Sequence, residues 1–249
     1  GASGQGSEKT LPVTKRLIDS VSDASPLYVL PKDPVTREVL LPALKAAKSL
    51  DVMMGYFSSA SFGEIAPGLA SYLRNTDTPL RIVISPYFTE SDYEVLTGDD
   101  AKLEELALKI FIEGVPEEDH IAKHTLECLA WLITQDRLTI KIALLKNALF
   151  HSKVWLFEDG HNRAALHGSS NFTKSALTRN REQLSLSRDW KGEEAVFHIE
   201  RLRQEFDELW QGGDDDCRVL SLPEAVKKDL VQTYKASVMP DESSYEEMW

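Results

Sequence analysis

Two cysteines in 249 residues, Cys128 and Cys217, are too few for a disulfide framework. Neither stands in the paired spacing with histidine that marks a zinc cluster, and a reducing cytoplasm is the expected compartment. No apolar run reaches the roughly eighteen residues a membrane helix needs, and no basic leader precedes an apolar segment, so neither a membrane span nor a secretion signal is expected. Basic residues are in the minority. The 28 Lys and Arg face 40 Asp and Glu, a net charge of -12, which argues against broad adhesion to polyanions and requires any phosphate binding to be local. What remains is ordinary for a globular protein: 42% hydrophobic and 27% charged residues, in a chain long enough to bury a sizeable core.

The hydrophobic pattern alternates between strand and helix. Leu27 to Leu30 is a short strand, and Pro34 to Ser49 carries apolar residues at helical spacing. Asp51 to Phe57 and Leu80 to Ser85 read as buried strands, with a helix from Ser61 to Arg74 between them. Helices are expected over Ala101 to Glu113 and Glu118 to Gln135. Strands follow at Leu138 to Leu144, His151 to Phe157, Ala164 to Gly168 and Gln183 to Arg188, and a closing amphipathic helix runs from Glu193 to Trp210. The expected fold class is α/β, with a mixed, largely buried β-sheet flanked by helices on both faces.

The chemistry concentrates between Phe150 and Thr173, FHSKVWLFEDGHNRAALHGSSNFT. His151 and Lys153 are two apart at a strand start, so both project from one face. A histidine can attack phosphorus and carry the phosphoryl group until water releases it. Lys153 and the Asn171 amide would bind the non-bridging oxygens, where charge accumulates in the five-coordinate state, and Ser169 adds a hydroxyl. Such a set needs no metal, and none is assigned; His120 and His124, four apart on a helix, lack a third ligand.

These residues resemble the signature of the phospholipase D superfamily, H-x-K, four residues, Asp, then G-S-x-N. Here His151-Ser152-Lys153 is followed after four residues by Glu158, and after nine more by Gly168-Ser169-Ser170-Asn171. Glutamate replaces the usual aspartate, and parity turns it to the face opposite His151 and Lys153, which makes its expected role structural. The longer interval suits an extended hairpin turn around Asp159-Gly160-His161-Asn162. Asn180-Arg181-Glu182 is similar to the N-x-E element of the nuclease branch, in which the glutamate contacts the active-site histidine and orients its imidazole. Val52 to Ser58 is similar to the V-x-x-G-Y-F-S strand of restriction endonucleases and helicase-associated defence domains.

The resemblance implies a phospholipase D-like nuclease domain over 11–211, after a short arm at 1–10 that reads as a cloning remnant or disordered, with 212–249 an acidic linker and tail. It implies a metal-independent endonuclease with no cofactor, acting on DNA in restriction or anti-phage defence, with a fused or associated helicase or ATPase as partner. None of the other histidines begins a second H-x-K, so half of a two-histidine site is missing from one chain, and a homodimer sharing one site at its twofold axis is expected. Arg163, Lys174, Arg179 and Arg181, close in sequence to the motif, are the candidate phosphate track. Two alternatives stand beside this reading: a lipid phosphodiesterase or phosphatidyltransferase, and a catalytically silent binding or dimerisation module.

Overall fold

The computed structural model describes residues 15–54, 66–84, 131–145, 153–168 and 181–221. Among these, eight strands form one sheet in the order β1-β7-β6-β5-β2-β3-β4-β8. They are β1 (Leu27–Leu30), β2 (Ser49–Met54), β3 (Leu80–Ile84), β4 (Leu138–Leu145), β5 (Lys153–Glu158), β6 (Arg163–Gly168), β7 (Glu182–Arg188) and β8 (Cys217–Ser221). The β2, β3 and β4 strands run parallel, whereas β5, β6, β7 and β1 form an antiparallel series joined to β2 through β5. The sheet is therefore mixed, as the alternating pattern predicts.

Both faces are covered. On one face α1 (Leu17–Val21), α2 (Leu41–Ala46, entered through a π-turn at Thr36–Leu40) and α3 (Ala66–Asn75) accompany a cluster that includes Val52, Ile82, Trp155, Phe157, Leu166 and Leu184. On the other, α4 (Glu193–Trp210) lays Ile199, Phe206 and Leu209 over Met53, Val83, Val154, Leu156 and Ala165. Strand parity assigns each residue to its side, and double coverage explains why β2 and β5 read as nearly continuous apolar runs. Trp155 and Phe157 stack with ring centroids 6.2 Å apart and belong to the core. Glu193 and Glu194 sit in the first turn of α4, where the helix dipole favours negative charge.

Two expectations need correction. The segment beyond Gln211 is not simply a linker, because Cys217–Ser221 pairs antiparallel with β4 from Lys141↔Ser221 to Leu145↔Cys217 and closes the sheet edge. Gly212 and Gly213, at φ 129° and 86°, turn the chain back, and Asp214 Oδ1 accepts hydrogen bonds from the Asp216 and Cys217 amides. An Asp- and Gly-rich run here makes a tight turn into a strand, so the folded domain extends past 211. The helix expected from Pro34 to Ser49 stops at Ala46, since Ala47 is already extended and β2 begins at Ser49. The helices expected at 101–113 and in most of 118–135 lie outside the described residues.

The hairpin between β5 and β6 is as long as its sequence predicts: Glu158 pairs with Arg163, leaving 159–162 as the loop. Buried Asp159 organises it by accepting from the amides of His161 (2.9 Å), Asn162 (2.7 Å) and Leu17 (2.8 Å). The loop is thereby tied to α1, at the end of the sheet away from the H-x-K motif.

Candidate active site

Three strand ends meet at the motif end of the sheet. The β5 strand begins at Lys153, β6 ends at Gly168 and β7 begins at Glu182. Lys153 pairs with Gly168, and Gly168 with Leu184, so Lys153 and Leu184 flank a position that carries no side chain, and Glu182 lies two residues further out, at the start of β7. Both face the α2–α3 side, Lys153 in parity with Trp155 and Phe157, and Glu182 in parity with Leu184 and Leu186.

Lys153 is 3% exposed. Burial pushes its ammonium down to about 8, and the Glu182 carboxylate pulls in the opposite direction. A solvated strand-start lysine, the bland alternative for this motif, is not what the structure has. A cation held at a strand end in reduced dielectric acts strongly on a nearby anion, which is what phosphate binding and transition-state charge stabilisation require.

Gly168 is needed for close approach. A β-carbon there would lie 2.2 Å from the Gln183 carbonyl oxygen, a backbone atom in the neighbouring strand. Gly168→Ala is expected to push β6 away from β7 and to cost about 1–3 kcal/mol, read as a lower midpoint in urea unfolding with an unchanged slope.

Glu158 lies on the opposite face and at the opposite end of β5. Its Oε1 accepts from Arg203 Nη2 of α4 at 3.1 Å. Arg203 also bonds Asp51 of β2, and Asp51 in turn takes a bidentate pair from Arg81, Nε at 2.6 Å and Nη2 at 2.7 Å. These groups line a cavity of about 500 Å³ with Ser49, Thr78, Pro79, Thr139 and Asp207, at the far end from Lys153. Its guanidinium groups are already paired with carboxylates, which marks it as the joint between α4 and the sheet. In the sequence Asp51 stands at the head of an apolar run. A carboxylate inside such a run requires a buried cation, which is the signal the sequence carries for this pairing.

Arg163 does not join the site. It sits opposite Glu158, about 17 Å along β6 from Gly168, and pairs with Asp189 and Glu200 at 3.9 and 3.6 Å. Nearness in sequence to the motif put it on the phosphate track, but an extended strand carries it to the other end. Arg181 is exposed beside Glu182, at the correct end. His151, Ser169, Asn171, Lys174 and Arg179 lie outside the described residues. His167 is on the α4 face, its Nε2 3.0 Å from Ser187 Oγ, with His198 Nδ1 3.4 Å from the same hydroxyl, so it turns away from Lys153. Among the described residues no helix is long and apolar enough to cross a membrane, and no three metal-ligating side chains gather.

Comparison with known proteins adds the family. No curated protein sequence matches the chain. Among solved structures it is similar to NucT from Helicobacter pylori, with 17% identity, a TM-score of 0.43, and coverage of 78% of this chain and 97% of that one. It is similar also to Nuc from Salmonella typhimurium, a phospholipase D family member, with 18% identity, a TM-score of 0.43, and coverage of 76% and 94%. A polyphosphate kinase from Porphyromonas gingivalis matches at 10% identity and a TM-score of 0.31, over 97% of this chain and 56% of that one. The model of the family described as cardiolipin synthase, PLD-like domain, matches residues 40–210, spanning every strand end of the site. With that match over most of its length, the chain belongs to the phospholipase D-like family and is a phosphodiesterase.

Proposed function

We propose that the chain is a metal-independent endonuclease that cuts DNA through a phosphohistidine on His151, at a site completed by a second copy. The observation that carries this reading is the buried Lys153 ammonium beside Glu182, two residues after His151 in the chain. A neutral His151 imidazole attacks phosphorus while the ester P–O bond breaks. The leaving alkoxide takes its proton from His151 of the second copy, present as imidazolium. Water then attacks phosphorus, the P–N bond breaks, and the water's proton returns to that second imidazole, restoring both groups. Lys153 and Asn171 hold the non-bridging oxygens through both steps, Ser169 adds a hydroxyl, and Glu182 balances the imidazolium. Lys174, Arg179 and Arg181 remain the phosphate track near the motif. Defence against foreign DNA and a helicase or ATPase partner follow from the resemblance to restriction enzymes.

A silent binding module has no use for a buried ammonium, which costs folding stability, and this favours an active site. A lipid phosphodiesterase is the reading favoured by the matching family's description. Plasmid cleavage in excess EDTA is expected to match cleavage without it, an acid-labile phosphoryl group should be trapped on His151, and His151→Ala should abolish both. Cleavage that stops on chelation and survives His151→Ala overturns the mechanism; turnover of phosphatidylglycerol vesicles with intact plasmid overturns the substrate.

A further inference from the structure

The β1 strand brings a distant part of the chain to the active-site end. Leu30, its last residue, is the Cα partner of Glu182, so the turn after Leu30 emerges at the strand ends that hold Lys153 and Glu182. Three strand spacings, about 14 Å, separate β1 from β5. The turn is internally braced. The Asp33 amide donates to the Val29 carbonyl at 2.9 Å, the Val29 amide donates to Asp33 Oδ2 at 2.7 Å, and the Val35 amide donates to the Asp33 carbonyl at 3.0 Å. Val35 is buried beneath it. Its carboxylates are engaged locally, Asp33 as described and Glu38 by accepting from the Tyr28 hydroxyl at 3.0 Å. The cations here are different: Lys32 in the turn and Arg37 in the helical turn after it are both exposed, and among the described residues neither pairs with a carboxylate. By contrast Arg81, Arg163 and Arg203 are tied to carboxylates at the other end of the sheet.

We infer that the turn after Leu30, together with the helical turn that follows it, is a phosphate-binding lip, in which Lys32 and Arg37 hold the backbone of the DNA strand a few nucleotides from the scissile bond. It occupies the place that Arg163 vacates. The inference rests on the reading of the site as a nuclease and adds where the strand leaves it. A braced turn loses little conformational freedom on binding, so two cations there act at low entropic cost.

The test is binding of a fluorescein-labelled 20-base-pair duplex to the His151→Ala chain across a salt series. Adding Lys32→Gln and Arg37→Gln should weaken binding at least tenfold near 0.1 M salt and make the log–log salt slope shallower by nearly two. The pair Lys15→Gln and Arg74→Gln removes the same charge at the opposite end of the sheet and should leave both quantities unchanged. Equal effects of the two pairs, no effect of the lip pair, or no duplex binding at all overturns the lip. Hydrolysis of bis(p-nitrophenyl) phosphate by the unaltered chain reports separately on the catalytic reading: its absence sinks that reading, whereas its presence with an unchanged salt slope sinks the lip alone.

Discussion

Lys153→Met is expected to lower DNA cleavage by about 10²–10³-fold while raising the unfolding temperature. The loss follows from removing the cation proposed to meet the phosphate oxygens. The gain follows from burial: methionine fills a similar apolar volume without the cost of a desolvated charge. The gap between 10.5 and about 8 corresponds to roughly 3 kcal/mol, an upper bound on the recovered stability. Because the folded-state value is the lower one, the folded protein binds fewer protons between pH 8 and 10.5. Wild-type stability therefore rises with pH through that window, and the advantage of Lys153→Met shrinks there. Activity runs the other way, falling above pH 8 as the ammonium deprotonates. Thermal melts at pH 7 and pH 10 with initial rates from pH 6 to 9.5 check all three outcomes. A variant that melts below wild type at pH 7, or cleaves as well, removes Lys153 from the site.

Asp51→Ala is expected to destabilise the protein by about 3–5 kcal/mol, with the cleavage rate of the folded fraction little changed. Asp51 is 3% exposed and accepts from both Arg81 and Arg203, so its removal strands two guanidinium groups against the sheet. Arg81 also stacks over Phe206 and Trp210, 5.1 Å from each ring centre, and Lys141 lies 4.4 Å from Trp210, which makes α4 the element that loosens. Arg81 keeps about a third of its side chain in solvent, so the lower end of the range is expected. Chemical denaturation measures the loss, and hydrogen exchange should show it concentrated in α4 and β2. A change under about 1 kcal/mol would mean the network is solvated ornament.

Much of the site is written locally. H-x-K, G-S-x-N and N-x-E are short, ordered and close in the chain, and strand parity alone assigns Lys153 and Glu158 to opposite faces. The β5–β6 loop length and the sheet's two-sided burial are legible for the same reason, since both follow from a period of two and from turn residues. Arg163 lies far from the motif because adjacency in sequence stands for adjacency in space only across a turn, and β6 is six residues long. The pairing of Asp51 is not legible locally, because its partners, Arg81 and Arg203, are 30 and 152 positions away. Strand β8 is weakly marked, because the turn residues ahead of it have the composition of a linker.

The sequence by itself determined the mixed two-faced sheet and the family, because each depends on residue type at short spacing. Tertiary structure alone decided which charges stand at the Lys153 end of the sheet. Antiparallel pairing of β1 with β7 brings the turn after Leu30 to the Glu182 end of the sheet across about 150 residues of chain, and the same sheet carries Arg163 away. Strand order and direction are set by long-range burial and backbone pairing, for which no local pattern of residues is a record.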